Sequence, residues 1–336
     1  MISAPVPLSV VIAVRNGSAY LAESLRTVLD QEGPPFEVVV VDDGSTDATP
    51  SILADLARGD ARIRVVTQET QGFTRALSQA IRHTSGEMLA RHDADDVSLP
   101  GRFRRQFDFM CAHPRLAAVG TAAEVIDERG SSVSRFPASH GPEAVRRSLL
   151  TLRATPVHGS MMIRREALEA VGGYRSAFAA AQDYDLWLRL AERYDLDNVP
   201  EVLYRWRINP GGVYGRRRVE QLQYAGIALA FAWERERFGH DSYPLLEECQ
   251  GNLGEFASRY QLAGPLEGLW GELLYRGLNN PGLARTHLWR AARAGSFAPK
   301  TIGLLAWSVL RLPWPGGRTL TAAPSPEMTR TSDGKS

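Results

Sequence analysis

Leu8-Ser9-Val10-Val11-Ile12-Ala13-Val14 is an apolar, β-branched run without polar alternation. A strand with one face in water alternates apolar and polar residues, whereas a parallel strand covered on both faces does not. The run therefore predicts a central strand. Beyond Asn16-Gly17-Ser18, residues Leu21, Leu25, Val28 and Leu29 recur at helical spacing, with Ser18 placed to cap the helix. Phe36 to Val41 repeats the strand signature. Ile52, Leu53 and Leu56 mark a second helix, with Pro50 tolerable only in its first turn. Ile63 to Val66 predicts a third strand and Met88 to His92 a fourth. Between them Ala76, Leu77, Ala80 and Ile81 predict a helix ending near Gly86 in a left-handed cap.

This alternation predicts a doubly wound α/β sheet, whose ligand crevice lies beyond the carboxyl ends of its strands. Asp42-Asp43 closes the second strand and Asp93-Ala94-Asp95-Asp96 the fourth. Two carboxylate clusters far apart in sequence should therefore meet at one sheet edge. Past Pro100 the pattern is mixed: a helix around Phe103, Phe107 and Met110, strands at Ala117 to Val125 and His158 to Ile163, and an amphipathic helix from Asp183 to Tyr194. From about Arg216 the strand signal gives way to helix. The expected organisation is a catalytic domain over 1–215, a helical region over 216–321 and a disordered tail over 322–336, where Pro, Ser, Thr and Lys offer little apolar surface to bury.

The bulk numbers agree with a folded body. The 336 residues are 44% hydrophobic and 23% charged, which argues against a disordered or fibrous chain. A formal charge of +1 provides no field to draw the molecule to nucleic acid. Cys111 and Cys249 lack Cys-x-x-Cys spacing, which excludes a thiolate zinc site and favours a reducing compartment. The chain reaches Leu8 without a basic leader or cleavage site, so a cytoplasmic protein is expected. Thr301 to Leu312 falls short of the roughly 20 apolar residues of a spanning helix and reads as buried or interfacial. Arg216-Arg217-Arg218 allows peripheral contact with phospholipid at the inner face of a membrane, although a solvated helix start accounts for it as well. The tryptophans at 270, 289, 307 and 314 read as core or interface anchors.

Asp-x-Asp at a strand end can grip one hard cation, magnesium or manganese, together with a ribose or phosphate. By itself the motif is equally a turn or a helix cap. Its company is more specific. Ala13-Val14-Arg15-Asn16-Gly17 follows the first strand, Val41-Asp42-Asp43-Gly44-Ser45-Thr46-Asp47 the second, and Arg91-His92-Asp93-Ala94-Asp95-Asp96-Val97-Ser98-Leu99-Pro100 the fourth, with Gln182-Asp183-Tyr184-Asp185-Leu186-Trp187-Leu188-Arg189 further on. In this order they resemble the family 2 glycosyltransferases with a GT-A fold, over roughly Leu8 to Arg207. The resemblance implies an inverting enzyme that moves a sugar from a UDP- or dTDP-linked donor to an acceptor hydroxyl on a glycan, a lipid-linked sugar or another molecule, in surface polysaccharide or glycoconjugate synthesis.

It also implies roles for residues. Asp43 would hold the base, Asp93 would lie at the ribose or metal side, and Asp95 would coordinate the Mg2+ or Mn2+ that bridges the donor diphosphate. Val14, Asn16, Arg75 and His158 would line the nucleotide-sugar site, and Asp183 would be the general base. Gln182 stands where many members of the family place glutamate. Each residue also has a plainer reading: an Asx turn with Gly44 for Asp42 and Asp43, a helix N-terminus for Asp183, a structural histidine for His158 and a solvated face for Arg75, Arg205 and Arg207. A dinucleotide-binding fold is disfavoured because the first turn lacks Gly-x-Gly-x-x-Gly. A sugar-1-phosphate nucleotidyltransferase and a non-catalytic nucleotide-sugar-binding subunit are the alternatives.

Overall fold

Every side chain from Val38 to Val41 is sealed from solvent, as are Val10 and Ile12. Burying each valine stabilises the fold by roughly 1.5–3 kcal/mol, and this is why the two runs occupy the middle of the sheet. The computed structural model describes residues 6–136, 138–151, 155–208 and 218–260. The chain divides into two compact units, Met1–Ser258 and Arg259–Ser336. The expected boundaries at 215/216 and 321/322 lie outside the described residues, as do Arg216, Arg217, Thr301 to Leu312 and the four late tryptophans.

In chain order the first unit runs β1 (Leu8–Val14), α1 (Leu21–Leu29), β2 (Phe36–Asp43), α2 (Thr49–Gly59), β3 (Ile63–Gln68), α3 (Phe73–Arg82), β4 (Met88–Arg91) and β5 (Val97–Ser98). It continues with α4 (Arg102–Ala112), β6 (Leu116–Ile126), β7 (Ser132–Phe136), α5 (Pro142–Leu150), a single 3-10 turn (His158–Ser160), β8 (Met162–Arg164), α6 (Arg165–Ala170), α7 (Gln182–Ala191) and β9 (Asp195–Arg207). Three helices follow: α8 (Arg218–Phe238), α9 (Tyr243–Glu248) and α10 (Leu253–Arg259). The sheet order is β3-β2-β1-β4-β8-β6-β9-β5, with β7 on β6. The first four strands are parallel, β8 is antiparallel to both neighbours, and β9 is parallel to β6. This mixed sheet is the GT-A fold.

The register aligns the carboxyl ends. Val14 pairs with Asp42, Asp43 with Gln68, and Val11 with Arg91, so β1, β2 and β4 stop at one edge. The two acidic clusters meet there, separated by the width of β1, about 10 Å at the usual strand spacing.

Three local expectations differ from the structure. Ser18 does not cap α1, whose flanking residue is Tyr20. The loop after β2 satisfies the exposed amides instead: Gly17 N donates to Thr49 Oγ1 at 2.9 Å and Ser18 N to Asp47 Oδ2 at 3.1 Å. Helix α3 ends at Arg82 with His83 as its cap, and Gly86 plays a different part. A Cβ there would lie 2.6 Å from Ser9 N, so glycine is required by the approach of two backbones. Helix α7 is not amphipathic, because eight of its ten residues, Gln182 and Tyr184 to Leu190, are buried. It is an internal helix, wrapped by the sheet on one side and by α8 on another. Elements β7, α5, α6 and β9 gave no clear signal in the sequence.

Candidate active site

The loop after β1 sets Asn16 in the left-handed region, at φ 54, with its side chain turned to the loop after β2. Asn16 Oδ1 accepts from Thr46 N at 2.8 Å, and Asn16 N donates to Ser45 Oγ at 2.9 Å. Asp42 Oδ1 accepts from Ser45 N at 3.0 Å and so closes the same turn. Asp43 faces away from this turn. Its Oδ1 accepts from Gln68 Nε2 at 2.7 Å and Gln71 N at 2.8 Å, and its Oδ2 from Gly72 N at 2.9 Å. The carboxylate thereby ties the start of α3 to the end of β2. Arg75, on the first turn of α3, is exposed and pairs with no described residue, while Val14 is buried at the end of β1.

At the end of β4, Arg91 is wholly buried and forms an ion pair with Asp93 Oδ1. Its guanidinium lies over the Phe73 ring, 5.1 Å from the centroid, and its Nε has no partner. Burial alone would lower the arginine pKa, but Asp93, Tyr174 and Tyr204 outweigh it and hold the cation. Asp93 N donates to the Tyr204 hydroxyl at 3.2 Å. That hydroxyl in turn donates to Asp96 Oδ2 at 2.7 Å, and Asp96 Oδ1 accepts from Arg207 N at 2.8 Å. Asp96 is thus a buried link between the acidic loop and β9. Burial and the neighbouring Asp93 and Asp95 push its pKa well above the usual carboxylate range.

Asp95 forms no ion pair among the described residues, and burial with repulsion from Asp93 raises its pKa to about 6. A desolvated carboxylate, charged at neutral pH and with no direct ion pair among the described residues, suits a divalent ion, even with Arg207 and Arg91 acting on it at longer range. Among the described residues no group of three His, Cys, Asp or Glu side chains is arranged to cage a metal. A magnesium-like ion bound through one or two carboxylates takes its other ligands from water and substrate phosphates, so the residues present fit such an ion together with a diphosphate.

Asp183 occupies the first turn of α7, behind Ala181, which is itself left-handed at φ 52. Its carboxyl is partly exposed. Desolvation raises its pKa to about 6; the amides of the helix start oppose that rise, Asp93 adds to it, and Arg91 acts against it. Asp183 therefore shares one electrostatic centre with the end of β4. His158 lies in an aromatic cluster, with ring centroids 6.2 Å from Phe73, 5.6 Å from Tyr174 and 6.0 Å from Trp187. His158 Nε2 and the Tyr174 hydroxyl share a hydrogen bond of 2.7 Å. Burial, reinforced by Arg91, pushes the imidazole pKa well below its ordinary value, so the ring is neutral at pH 7. The 3-10 turn comes this close because of Gly159, where a Cβ would strike the Tyr204 hydroxyl and lie 2.7 Å from Asp93 Oδ2.

The edge thus gathers Asp93, Asp95, Asp183 and His158 around Arg91, with Asn16 after the adjacent strand β1, Asp43 one strand further on β2, and Arg75 exposed on α3. Sequence reading overlooked Tyr174; Arg91 and Tyr204 lie within stretches that resemble the family, but their pairing with these acids was not foreseen. An arginine inside the buried strand Met88–Arg91 was a usable signal, since an unpaired charge is not left in a sheet interior.

Residues 9–172 match the family described as Glycosyl transferase family 2. EpsE of Bacillus subtilis, named as a glycosyltransferase, is 33% identical over 206 residues, covering 60% of this chain and 72% of EpsE. Among solved structures, S. aureus TarS 1-349 in complex with UDP-GlcNAc is similar with a TM-score of 0.59 at 16% identity, over 91% of this chain and 92% of that one. The mannosyltransferase PcManGT of Pyrobaculum calidifontis, in complex with GDP-Man and Mn2+, is similar with a TM-score of 0.53 at 22% identity, over 92% and 86%.

Proposed function

Because the chain belongs to glycosyl transferase family 2 and is a glycosyltransferase, we propose that it transfers a sugar with inversion from a UDP- or dTDP-linked donor to an acceptor hydroxyl, with Asp183 as general base. The observation that carries this reading is the single electrostatic centre holding Asp183, Asp93 and Arg91. A carboxylate whose pKa is raised to about 6 is ionised at neutral pH yet basic enough to take a proton as the hydroxyl attacks.

In the transfer, the acceptor oxygen bonds to the anomeric carbon on the face opposite the leaving group. The bond from that carbon to the diphosphate breaks, its electron pair leaves with the diphosphate oxygen, and the hydroxyl proton passes to an Asp183 oxygen. Arg91 pairs with Asp93 and offsets part of the negative charge facing Asp183. Asp95, with Asp93 at the ribose or metal side, would hold Mg2+ or Mn2+, which when bound supplies Lewis-acid stabilisation of the leaving diphosphate. Neutral His158, fixed by Tyr174, and Phe73 form an apolar wall that keeps water away from the reacting carbon. In this reading Asn16 and Val14 line the loop beside the nucleoside, and Arg75, an unpaired cation on the rim, meets the diphosphate.

Asp43 supports a pyrimidine donor. An ionised carboxylate offers about four acceptor positions, and Gln68, Gln71 and Gly72 occupy three of them. The one remaining, on Oδ2, suits a base with a single imide N–H, as in uracil or thymine. Guanine presents two adjacent donors and needs two acceptors. UDP- and dTDP-sugars should therefore raise the thermal midpoint in the presence of Mn2+ and be turned over, with GDP-sugars weaker in both respects. Preferential turnover of a GDP-sugar would remove Asp43 from base recognition. The acceptor we propose is a glycan or lipid-linked hydroxyl in surface polysaccharide or glycoconjugate synthesis, in keeping with the family.

The pH dependence follows from Asp183. The base works as the carboxylate, so kcat/KM rises with pH through about 6 and levels off above it; below that value it falls about tenfold per pH unit, as for loss of one essential base. Initial rates between pH 4.5 and 8 at saturating metal measure the profile. A flat profile across that range would rule out Asp183 as the titrating base.

A further inference from the structure

Behind Asp183 runs a chain of buried charges that the transfer step itself does not use. In order it is Glu192, Arg235, Asp241, Arg175, Asp185 and Arg189, alternating in sign along its length. Arg235 Nη2 meets Glu192 Oε1 at 2.7 Å, and Arg235 Nη1 also pairs with Asp241. Arg175 Nη1 lies 2.7 Å from Asp241 Oδ2 and 3.5 Å from Asp185 Oδ1, and Arg189 Nη2 lies 2.7 Å from Asp185 Oδ2. From Arg235 to Arg189 no side chain in the chain is more than 18% exposed.

These contacts grip α7 at both ends. Asp185 shares the first turn with Asp183, Arg189 is one turn further along, and Glu192 is the C-terminal cap residue. The chain enters α7 through left-handed Ala181, a conformation that residues other than glycine disfavour. Something must hold the first turn against that local preference. Arg189 Nη1 also donates to Val171 O at 2.6 Å, fastening the segment that leads into the helix. Buried ion pairs seldom stabilise a fold more than apolar packing of equal volume, because desolvation offsets the attraction. What directional pairs supply here is register: α7 can neither rotate nor slide without breaking several at once.

We propose that Asp241 is a positioning residue for Asp183, acting through Arg175 and Asp185 to fix the first turn of α7. The inference rests on the reading of Asp183 as the base. Asp241 sits between α8 and α9, far beyond residues 9–172 that match the family, so a segment outside the match sets the geometry of the catalytic carboxylate. Burial works to raise the Asp241 pKa, but Arg175 and Arg235 outweigh it and keep the carboxyl below its ordinary value, hence charged throughout the working range. Its Oδ1 accepts from Tyr243 N at 3.1 Å and so places α9.

Asp241→Asn tests the proposal, since asparagine can retain the Oδ1 acceptor for Tyr243 while its NH2 replaces the charged Oδ2 that accepts from both arginines. A displacement of the base on the ångström scale lowers kcat by roughly tenfold to 10²-fold, with the KM for donor and metal-dependent UDP binding unchanged. Asp241→Glu should recover most of the loss. If Asp241→Asn does not fold, Arg175→Met provides the same test, because it removes the cation whose Nη1 joins the two carboxylates while keeping an apolar stem of similar length. Unchanged kcat in either folded variant overturns the proposal, as does a loss that donor binding shares in parallel and Asp241→Glu does not rescue. Asp183→Asn assayed beside them separates the two claims. Normal transfer in that variant removes the base reading and this inference with it, whereas loss there with full activity in Asp241→Asn removes the inference alone.

Discussion

Asp183→Asn is expected to lower sugar transfer by roughly 10²- to 10⁴-fold, the usual contribution of a positioned general base, while metal-dependent nucleoside diphosphate binding persists. The substitution is nearly isosteric and retains an acceptor for the amides at the start of α7. Burial and Asp93 already disfavour the charged form, since the pKa is raised to about 6. At neutral pH the carboxylate therefore weakens the folded state relative to a neutral amide. The opposing loss is attraction to the helix N-terminus, about 0.3–1 kcal/mol. The variant should consequently melt at or near the parent temperature, and lost turnover cannot be assigned to unfolding. Transfer rates and a thermal melt on one preparation decide the matter: full activity would leave Asp183 as a helix-start residue only.

Asp95→Ala should be the more damaging change, because it removes donor binding and turnover together. A metal's stabilisation of a leaving diphosphate amounts to several kcal/mol, and each 1.36 kcal/mol is a factor of about ten in rate, so transfer should drop by about 10³-fold or more. The fold should survive. The Asp95 side chain forms no ion pair among the described residues, and its structural contact is made by its backbone carbonyl, which accepts from Arg207 Nε at 2.8 Å. Thermal shift with Mn2+ and UDP gives the decisive comparison: the parent should gain stability only with both present, and the variant should gain none. A retained Mn2+-dependent shift would move the metal elsewhere.

The first half of the sheet could be read from sequence because each of its strands is a local apolar run flanked by a local helix. Strand β9 could not. Asp195–Arg207 buries the polar Asp197, Asn198 and Arg207 and exposes Pro200 beside Glu201, so polarity does not follow burial along it. Two register shifts against β6 near Thr121 and Ala122 further blur any two-residue period. Helix α7 misled for the opposite reason, since its charged positions suggested a solvated face while Asp185 and Arg189 neutralise each other inside. The acidic clusters at the ends of β2 and β4 were legible because strand ends can be read locally. The pairing of Arg91 and Tyr204 with those acids was not, because it depends on partners brought together by the fold: Tyr204 reaches Asp93 across 111 positions of sequence. Sequence named the acids of the site; their counter-charges and supports emerged only from packing.

The fastening of β9 to the acidic loop bears on modularity. Arg207 N and the Tyr204 hydroxyl are the donors to the Asp96 carboxylate, and Arg207 Nε takes the carbonyl of Asp95. A fragment that stopped after β8 would retain the carboxyl edge of β1, β2 and β4 and still leave the buried Asp96 carboxyl stripped of both donors, a loss on the order of 1–3 kcal/mol. The donor half is therefore no cassette that can be excised or grafted by itself. Any chimera that exchanges the acidic loop must bring Tyr204 and Arg207 from the same parent, and recombination breakpoints between residues 97 and 203 should be poorly tolerated unless both sides of this stitch travel together.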